Sequence, residues 1–421
     1  MKKALFLFIV LATILTSCKT KDNCADTVCP NGQVCVDGTC QGSFTNVMVT
    51  SNITTNTTWT SDNVYELAGR ITVLNGVTLT IEPGTIIKGQ AGTGANATAL
   101  LVARGGKINA VGTETKPIIF TSVADEITLE QVLSGNFSSP NLDPATQGLW
   151  GGVIVLGRAP ISASANEIQI EGIPTTDANG LYGGTDPLDN SGVMKYVSIR
   201  HGGANIGNGN EINGLTLGGV GSGTVIENIE IVGNQDDGIE LFGGTVNLKN
   251  LVIWYAGDDG LDTDQSYGGT VDNFIIICGA ATDHALEIDG PEGSYLASHT
   301  IKNGSVKGHP VSELGDFRAC PRGSFENIFF FDFPDPSTSG GRGDLSISNP
   351  TASTCSTDNL TNGVLTFSNL QVILPTGVSL SSVFLNGTSN FATSVTNRTV
   401  GANKSQFNWT WSEQANQLST F

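Results

Sequence analysis

Three consecutive phrases of the chain share one hydrophobic and polar pattern. They are "TVIENIEIVGNQDDGIELFGG" from Thr224, "TVNLKNLVIWYAGDDGLDTDQSYGG" from Thr245 and "TVDNFIIICGAATDHALEIDGPEG" from Thr270. Each runs through a short alternating stretch, an asparagine, an apolar stretch, an acidic turn, a third short stretch and closing glycines. A period of two marks strands. Three short strands per repeat of this length predict the coils of a parallel β-helix. Successive coils stack at ~4.8 Å, so equivalent residues form ladders. Asn228, Asn250, Asn273, Asn303 and Asn327 recur at spacings of 22, 23, 30 and 24, with Asn369 after a longer insertion. Asparagine tolerates a left-handed bend, and its amide can bond the next one in the stack.

The first half carries the same texture in "YELAGRITVLNGVTLTIEPGTIIKGQ", "ALLVARGGKINAVGTETKPIIFTS" and "GLWGGVIVLGRAPI". These phrases resemble right-handed parallel β-helix proteins found as surface or secreted proteins of Bacteroidetes, over about residues 44 to 410. The resemblance implies an all-β, single-stranded right-handed parallel β-helix of the pectate-lyase-like type, with no single activity attached. About Ser122 to Gln147 and Glu167 to Asn190 the repeat fails, which predicts insertions. The tail "FNWTWSEQANQLSTF" is expected to cap the last coil, whose open edge needs cover.

Composition narrows the function. The 421 residues carry 39 Asp+Glu against 20 Lys+Arg, a net charge of −19, which disfavours nucleic acid and anionic lipid as partners. The N-terminus reads "MKKALFLFIVLATILTSC": two lysines, a short apolar run, then small residues before Cys18. Residues 1–17 are read as a signal peptide. Leu15-Thr16-Ser17-Cys18 resembles the bacterial lipobox, which implies lipidation at Cys18, a membrane partner through that lipid, and a place on the bacterial outer membrane at its cell-surface or periplasmic face. Export favours disulfides. "CADTVCPNGQVCVDGTC" places Cys24, Cys29, Cys35 and Cys40 in residues 18–43, a small module that resembles a truncated EGF-like unit. Four cysteines allow three pairings. The expected one is Cys24–Cys35 with Cys29–Cys40, and zinc is the rival reading. In the body, residues 44–421, Cys320 and Cys355 are expected to pair and Cys278 to be a buried thiol.

The acids fall in register. Asn213-Gly214-Leu215-Thr216, Asp237-Gly238-Ile239-Glu240, Asp259-Gly260-Leu261-Asp262 and Asp283-His284-Ala285-Leu286-Glu287 align on the third strand. Alternation sends Leu215, Ile239, Leu261 and Leu286 inward, and Thr216, Glu240, Asp262 and Glu287 outward. Asp264 and Asp289 also point out, and the turns add Asp236, Asp237, Asp258, Asp259 and Asp283. At ~5 Å such charges repel by roughly a few kcal/mol per pair. A hard cation such as Ca²⁺ between the carboxylates, protons held by carboxyls of raised pKa, or plain screening by water would relieve this. The five turn aspartates are the candidate metal ligands. Glu240, Asp262, Asp264, Glu287 and Asp289, with the nearby aromatics Trp254 and Tyr267, are the candidate ligand-binding residues.

In the next coil Arg318 is placed after Glu287 in the outward column. An arginine beside an acidic, calcium-loaded face resembles polysaccharide lyases of the pectate-lyase type, in which a cation neutralises the sugar carboxylate and a base removes the α-proton. That resemblance makes Arg318, His284 and Asp262 the catalytic candidates. Glycoside hydrolysis needs one carboxylic acid and one carboxylate, which the stripe also contains. His201 is expected to bond its own turn. The leading expectation is a cell-envelope lipoprotein that binds carbohydrate or another surface ligand. The lyase or hydrolase follows it, and a structural spacer comes third.

Overall fold

The computed structural model describes residues 34–36, 38–41, 45–207, 210–350 and 352–421. Contacts divide the chain into Met1–Ser43 and Phe44–Phe421. In the first unit Val34–Val36 and Thr39–Gln41 form an antiparallel hairpin with Cys35 opposite Cys40, and both cysteines are disulfide-bonded. The signal segment, the lipidation position Cys18, Cys24 and Cys29 lie outside the described residues. Among the described residues no helix is long and apolar enough to cross a membrane.

The second unit is a parallel β-helix built from two sheets. The longer sheet stacks twelve strands along its main path, from Thr45–Val49 through Gly192–Arg200, Val225–Val232, Asn247–Trp254, Thr270–Ile277, His299–Lys307 and Gly323–Phe331 to Ala392–Ser394. The shorter has nine, including Val153–Leu156, Leu215–Gly218, Ile239–Phe242, Leu261–Asp264, Leu286–Asp289, Gly315–Arg318 and Leu345–Ile347. Neighbours from successive coils pair in parallel throughout the repeat. The two strands expected before each acidic turn are one long strand bent at its asparagine. Asn228, Asn250, Asn273, Asn303, Asn327 and Asn369 all have φ between 54° and 66°. One coil earlier Tyr196, φ 52°, occupies the bend.

The amides bond along the stack, Asn250 Nδ2 donating to Asn228 Oδ1 (2.9 Å) and Asn273 Nδ2 to Asn250 Oδ1 (2.7 Å). The ladder breaks where Asn303 donates to Asp272 instead, and the Asn403 backbone N–H fills the vacant acceptor on Asn273 (2.7 Å). Inward columns form one continuous core, with Leu215, Ile239, Leu261 and Leu286 all fully buried. Gly304 is in that core because a Cβ there would sit 2.0 Å from the Phe274 ring. Cys320 and Cys355 are bonded (Cα–Cα 5.1 Å), and Cys278 is a buried free thiol.

Both predicted insertions fold back as lids. The first carries the helix Leu129–Leu133, started by a Thr128–Gln131 capping box, and packs Ile127, Val132 and Phe137 on Ile86 and Ile119 of the longer sheet. The second pairs Ile168–Gln169 with Leu181–Tyr182. It buries Ile170, Ile173 and Tyr182 against Leu101, Ile154, Leu156 and Phe242, outward residues of the shorter sheet. The tail differs from expectation. Trp411, Phe407 and Leu418 lie along the side of the longer sheet over Val232, Val252, Trp254, Ile275 and Ile277, not over the last coil. Outward positions of those strands are apolar and need cover that their own coils do not supply. The last coil is closed by Leu380–Val383 and Phe384, whose ring meets Phe330 at 6.2 Å.

Candidate functional site

On the shorter sheet, backbone pairing stacks Thr216, Glu240, Asp262, Glu287, Asp316 and Ser346 in one outward column. A second column runs Phe242, Asp264, Asp289 and Arg318. Arg318 is therefore level with Asp289, not with Glu287. Asp316 continues the Glu287 column, two residues from the expected register. In the turn, Asp237, Asp259, His284 and Glu313 occupy equivalent places, so the ladder position expected for Asp283 belongs to His284. The backbone N–H of Asp259 donates to Asp237 Oδ1 (2.9 Å), and that of His284 donates to Asp259 Oδ1 (2.7 Å).

The outward face is not a solvated stripe. Asp237, Glu240, Asp259, Asp262 and Glu287 are all 4–7% exposed. The second insertion and the segment around Glu211 crowd the face from one side: the Glu211 N–H donates to Glu171 Oε1 (3.2 Å). Asp258 at the rim is exposed, while Asp236, Asp264, Asp283, Asp289 and Asp316 are half-buried.

Burial and mutual repulsion both favour the protonated form of these acids. Burial, then the charges of Glu211 and Asp258, pushes Asp236 up to about 8. Burial and the neighbouring Asp264 push Asp289 up to about 8. Asp264 rises to about 6, through burial and then Glu292. Asp237, Glu240 and Asp262 lie well above the ordinary carboxylate range for the same two reasons.

Three protein cations answer part of this charge. His284 Nδ1 lies 2.8 Å from Asp259 Oδ1 and 3.2 Å from Glu287 Oε2, and its Nε2 is 3.6 Å from Glu313 Oε2. Burial opposes the imidazolium, but the hydrogen bond and charge of Asp259, with Glu313 and Asp316, outweigh it and raise the His284 pKa. Arg318 joins Glu287 to Asp289 (Nε–Oδ1 2.9 Å), and Arg342 joins Asp283 to Glu313 (3.0 Å). Glu313, Asp316 and Arg342 were not among the sequence candidates. Asp316 lay within reach of the alternation rule in "GDFR", whereas Arg342 comes from the long loop before Leu345 and carries no periodic signal.

The two aromatic candidates do not belong to this face. Trp254 is 2% exposed on the longer sheet, stacked between Val232 and Ile277 and covered by Trp411 at 5.6 Å. Tyr267 points inward: it is 1% exposed, and its hydroxyl donates to the Val246 carbonyl (2.6 Å) inside the core. His201 bonds another segment, not its own turn, with Nδ1 2.7 Å from the Thr146 carbonyl.

Four groups bring ligand atoms within 4.8 Å of one another: Asp236/Asp237/Asp258, Asp237/Glu240/Asp262, Asp259/His284/Glu287 and Asp283/His284/Glu313. All-oxygen groups suit hard cations, whereas those containing His284 already hold a positive charge when it is protonated. Beside the last group an open polar hollow of about 550 Å³ is lined by Asp258, Thr282, Asp283, Ser339 and Arg342 among others. A larger hollow of about 730 Å³ at Ile373 and Val395 contains no titratable lining residue and stands apart from this chemistry.

No curated protein and no solved structure matches the chain. One family does: its model, described as a pectate-lyase like beta helix domain, matches residues 51–135 and 136–414. With parallel coils, an asparagine ladder and a two-sheet core over that same span, the chain belongs to the pectate-lyase-like β-helix domain family.

Proposed function

We propose that this protein is a cell-envelope lipoprotein that binds carbohydrate on the acidic side of its β-helix. The observation that carries this reading is the open hollow of about 550 Å³ beside the acid columns. Its rim offers carboxylate acceptors at Asp258 and Asp283, hydroxyls at Thr282 and Ser339, and the guanidinium of Arg342. Sugar hydroxyls need such mixed donors and acceptors, and a polymer needs a site open along its length. Polar contacts carry the binding, since Trp254 and Tyr267 are buried elsewhere. The β-helix family supports a polysaccharide-related role without naming a ligand. The signal-like N-terminus and Cys18 support the envelope location.

The Asp264–Asp289 pair does not favour glycoside hydrolysis: the two carboxyls share a side-chain hydrogen bond, closer than the roughly 5–9.5 Å that a catalytic pair needs to flank a glycosidic bond. Arg318 is a poor lyase base, because Glu287 and Asp289 hold it as a cation.

The deciding experiment is isothermal titration of the protein against a panel of acidic and neutral polysaccharides, with reducing ends assayed in parallel. Binding without product, weakened in Arg342→Ala, is expected. Product release would move the assignment to an enzyme, and silence across the panel would leave the spacer role.

A further inference from the structure

The chain supplies its own cations to only part of the acidic face. His284, Arg318 and Arg342 between them contact Asp259, Asp283, Glu287, Asp289 and Glu313. Among the described residues, no ion pair reaches Asp237, Glu240 or Asp262. Yet theirs is the one group of the four whose members are all buried. Each offers an oxygen within 4.8 Å of the others, and they are 6%, 6% and 7% exposed.

Their hydrogen bonds leave a gap. Asp237 Oδ1 accepts the Asp259 N–H, and Glu240 Oε2 accepts the Asn213 side-chain amide. Asp262 Oδ1 is buried and has no partner, and Asn213 Oδ1 is likewise without one. Shared protons would remove the charge, but no protein N–H or hydroxyl donates to the buried Asp262 Oδ1. A bound cation removes the charge and satisfies that oxygen together.

We infer that Asp237, Glu240 and Asp262 hold a structural calcium ion beneath the acidic face. Three carboxylates offer up to six oxygens, without nitrogen or sulfur, which suits a hard ion over zinc. Calcium bonds of about 2.4 Å let oxygens up to about 4.8 Å apart share one ion, and the triad's oxygens all lie within that distance. Magnesium sheds its water reluctantly and suits a wetter place than this buried one. The ion bridges neighbouring coils, Asp237 and Glu240 from one and Asp262 from the next. Because the triad is covered, the ion neutralises protein charge and does not bridge to a ligand, so it stands whether or not the face binds carbohydrate.

The test is equilibrium dialysis of the full chain, stripped with EDTA, against radiolabelled calcium in excess magnesium. Wild-type protein is expected to retain calcium. Asp262→Asn and Glu240→Gln are each expected to weaken retention tenfold or more, and Glu130→Gln, on the exposed inserted helix, to leave it unchanged. No retention by the wild type, or equal retention in Asp262→Asn and Glu240→Gln, overturns the inference. Should a triad variant not fold, wild-type retention and the rise in Tm on adding calcium still decide. A silent polysaccharide panel alongside retained calcium would refute the binding role and leave the ion standing.

Discussion

The raised carboxyl pKa values make stability fall as pH rises above neutrality, a direction opposite to that set by ordinary salt-bridged acids. Asp236 and Asp289 sit at about 8 in the folded chain and near ~3.9 unfolded. A group with a raised folded pKa contributes its stability fully below the unfolded value and loses it as pH climbs through the folded one. Between pH 6.5 and 8 each group loses about 1.6 kcal/mol, or about 3 kcal/mol for the pair. Unfolding entropy of about 2.1 cal/mol/K per residue, over roughly 380 residues of β-helix, converts this to a fall in Tm of about 4 °C. His284, also raised, has the same sign. His201 and His299 have the other sign. Burial holds both neutral, His299 at about 4, so they cost stability as pH drops below ~6.5 and flatten the acid limb. The assay is calorimetry at one scan rate across pH 5 to 8.5, with EDTA to keep metal out. A midpoint that stays level or rises from pH 6.5 to 8 would refute the account of the acidic face.

Replacing Asn250 with alanine removes a left-handed bend and two ladder bonds, and should cost roughly 2–4 kcal/mol in chemical denaturation. Glycine at the same place should recover the backbone part alone. Trp411→Ala strips the cover from Trp254 and removes the ring 4.9 Å from the buried Arg200 guanidinium, at a cost of roughly 3–5 kcal/mol. Red-shifted tryptophan emission before global unfolding should report the lifted tail. Arg318→Ala leaves Glu287 and Asp289 without their cation, and because Arg318 is partly exposed the loss should be roughly 1–3 kcal/mol. That loss should be larger at pH 8 than at pH 6, since protonation of Asp289 relieves it; an equal loss at both would show the pair to be unimportant.

The fold was legible because its two strongest signals are local. A bend needing φ near +60° selects asparagine, and alternation separates Leu261 from Asp262 without knowledge of the partner strand. Register was legible only modulo two. Placing Arg318 beside Glu287 shifts the coil by two residues, which sends the same side chains to the same face, so the pattern could not object. The one-residue ambiguity at Asp283-His284 arose in a turn, where no alternation applies and the coil grows from 22 to 25 residues between equivalent leucine and isoleucine positions. Burial left almost no local signal, because it comes from a distant insertion. Its one trace was apolar: Ile154, Leu156 and Phe242 are outward residues that a solvated face would not carry.

Stacking coils turn every position into a column, and a column interacts mainly with its own kind. An isoleucine column gains by this, since like packs on like, and an asparagine column gains because an amide is both donor and acceptor. A carboxylate column repels itself and has no such self-complement, so it needs protons or foreign charge at each rung. Along this face the remedy changes with position. At Asp259, Asp283, Glu287, Asp289 and Glu313 the chain brings His284, Arg318 and Arg342 to the acids, the last from a loop outside the repeat. At Asp237, Glu240 and Asp262 it brings none, although the insertion covering the face could have carried a lysine as readily as Glu171. A stretch buried by the fold, left acidic by its own cover and ending in an unpartnered oxygen at Asp262 is therefore explained by a charge from outside the chain better than by any side chain within it.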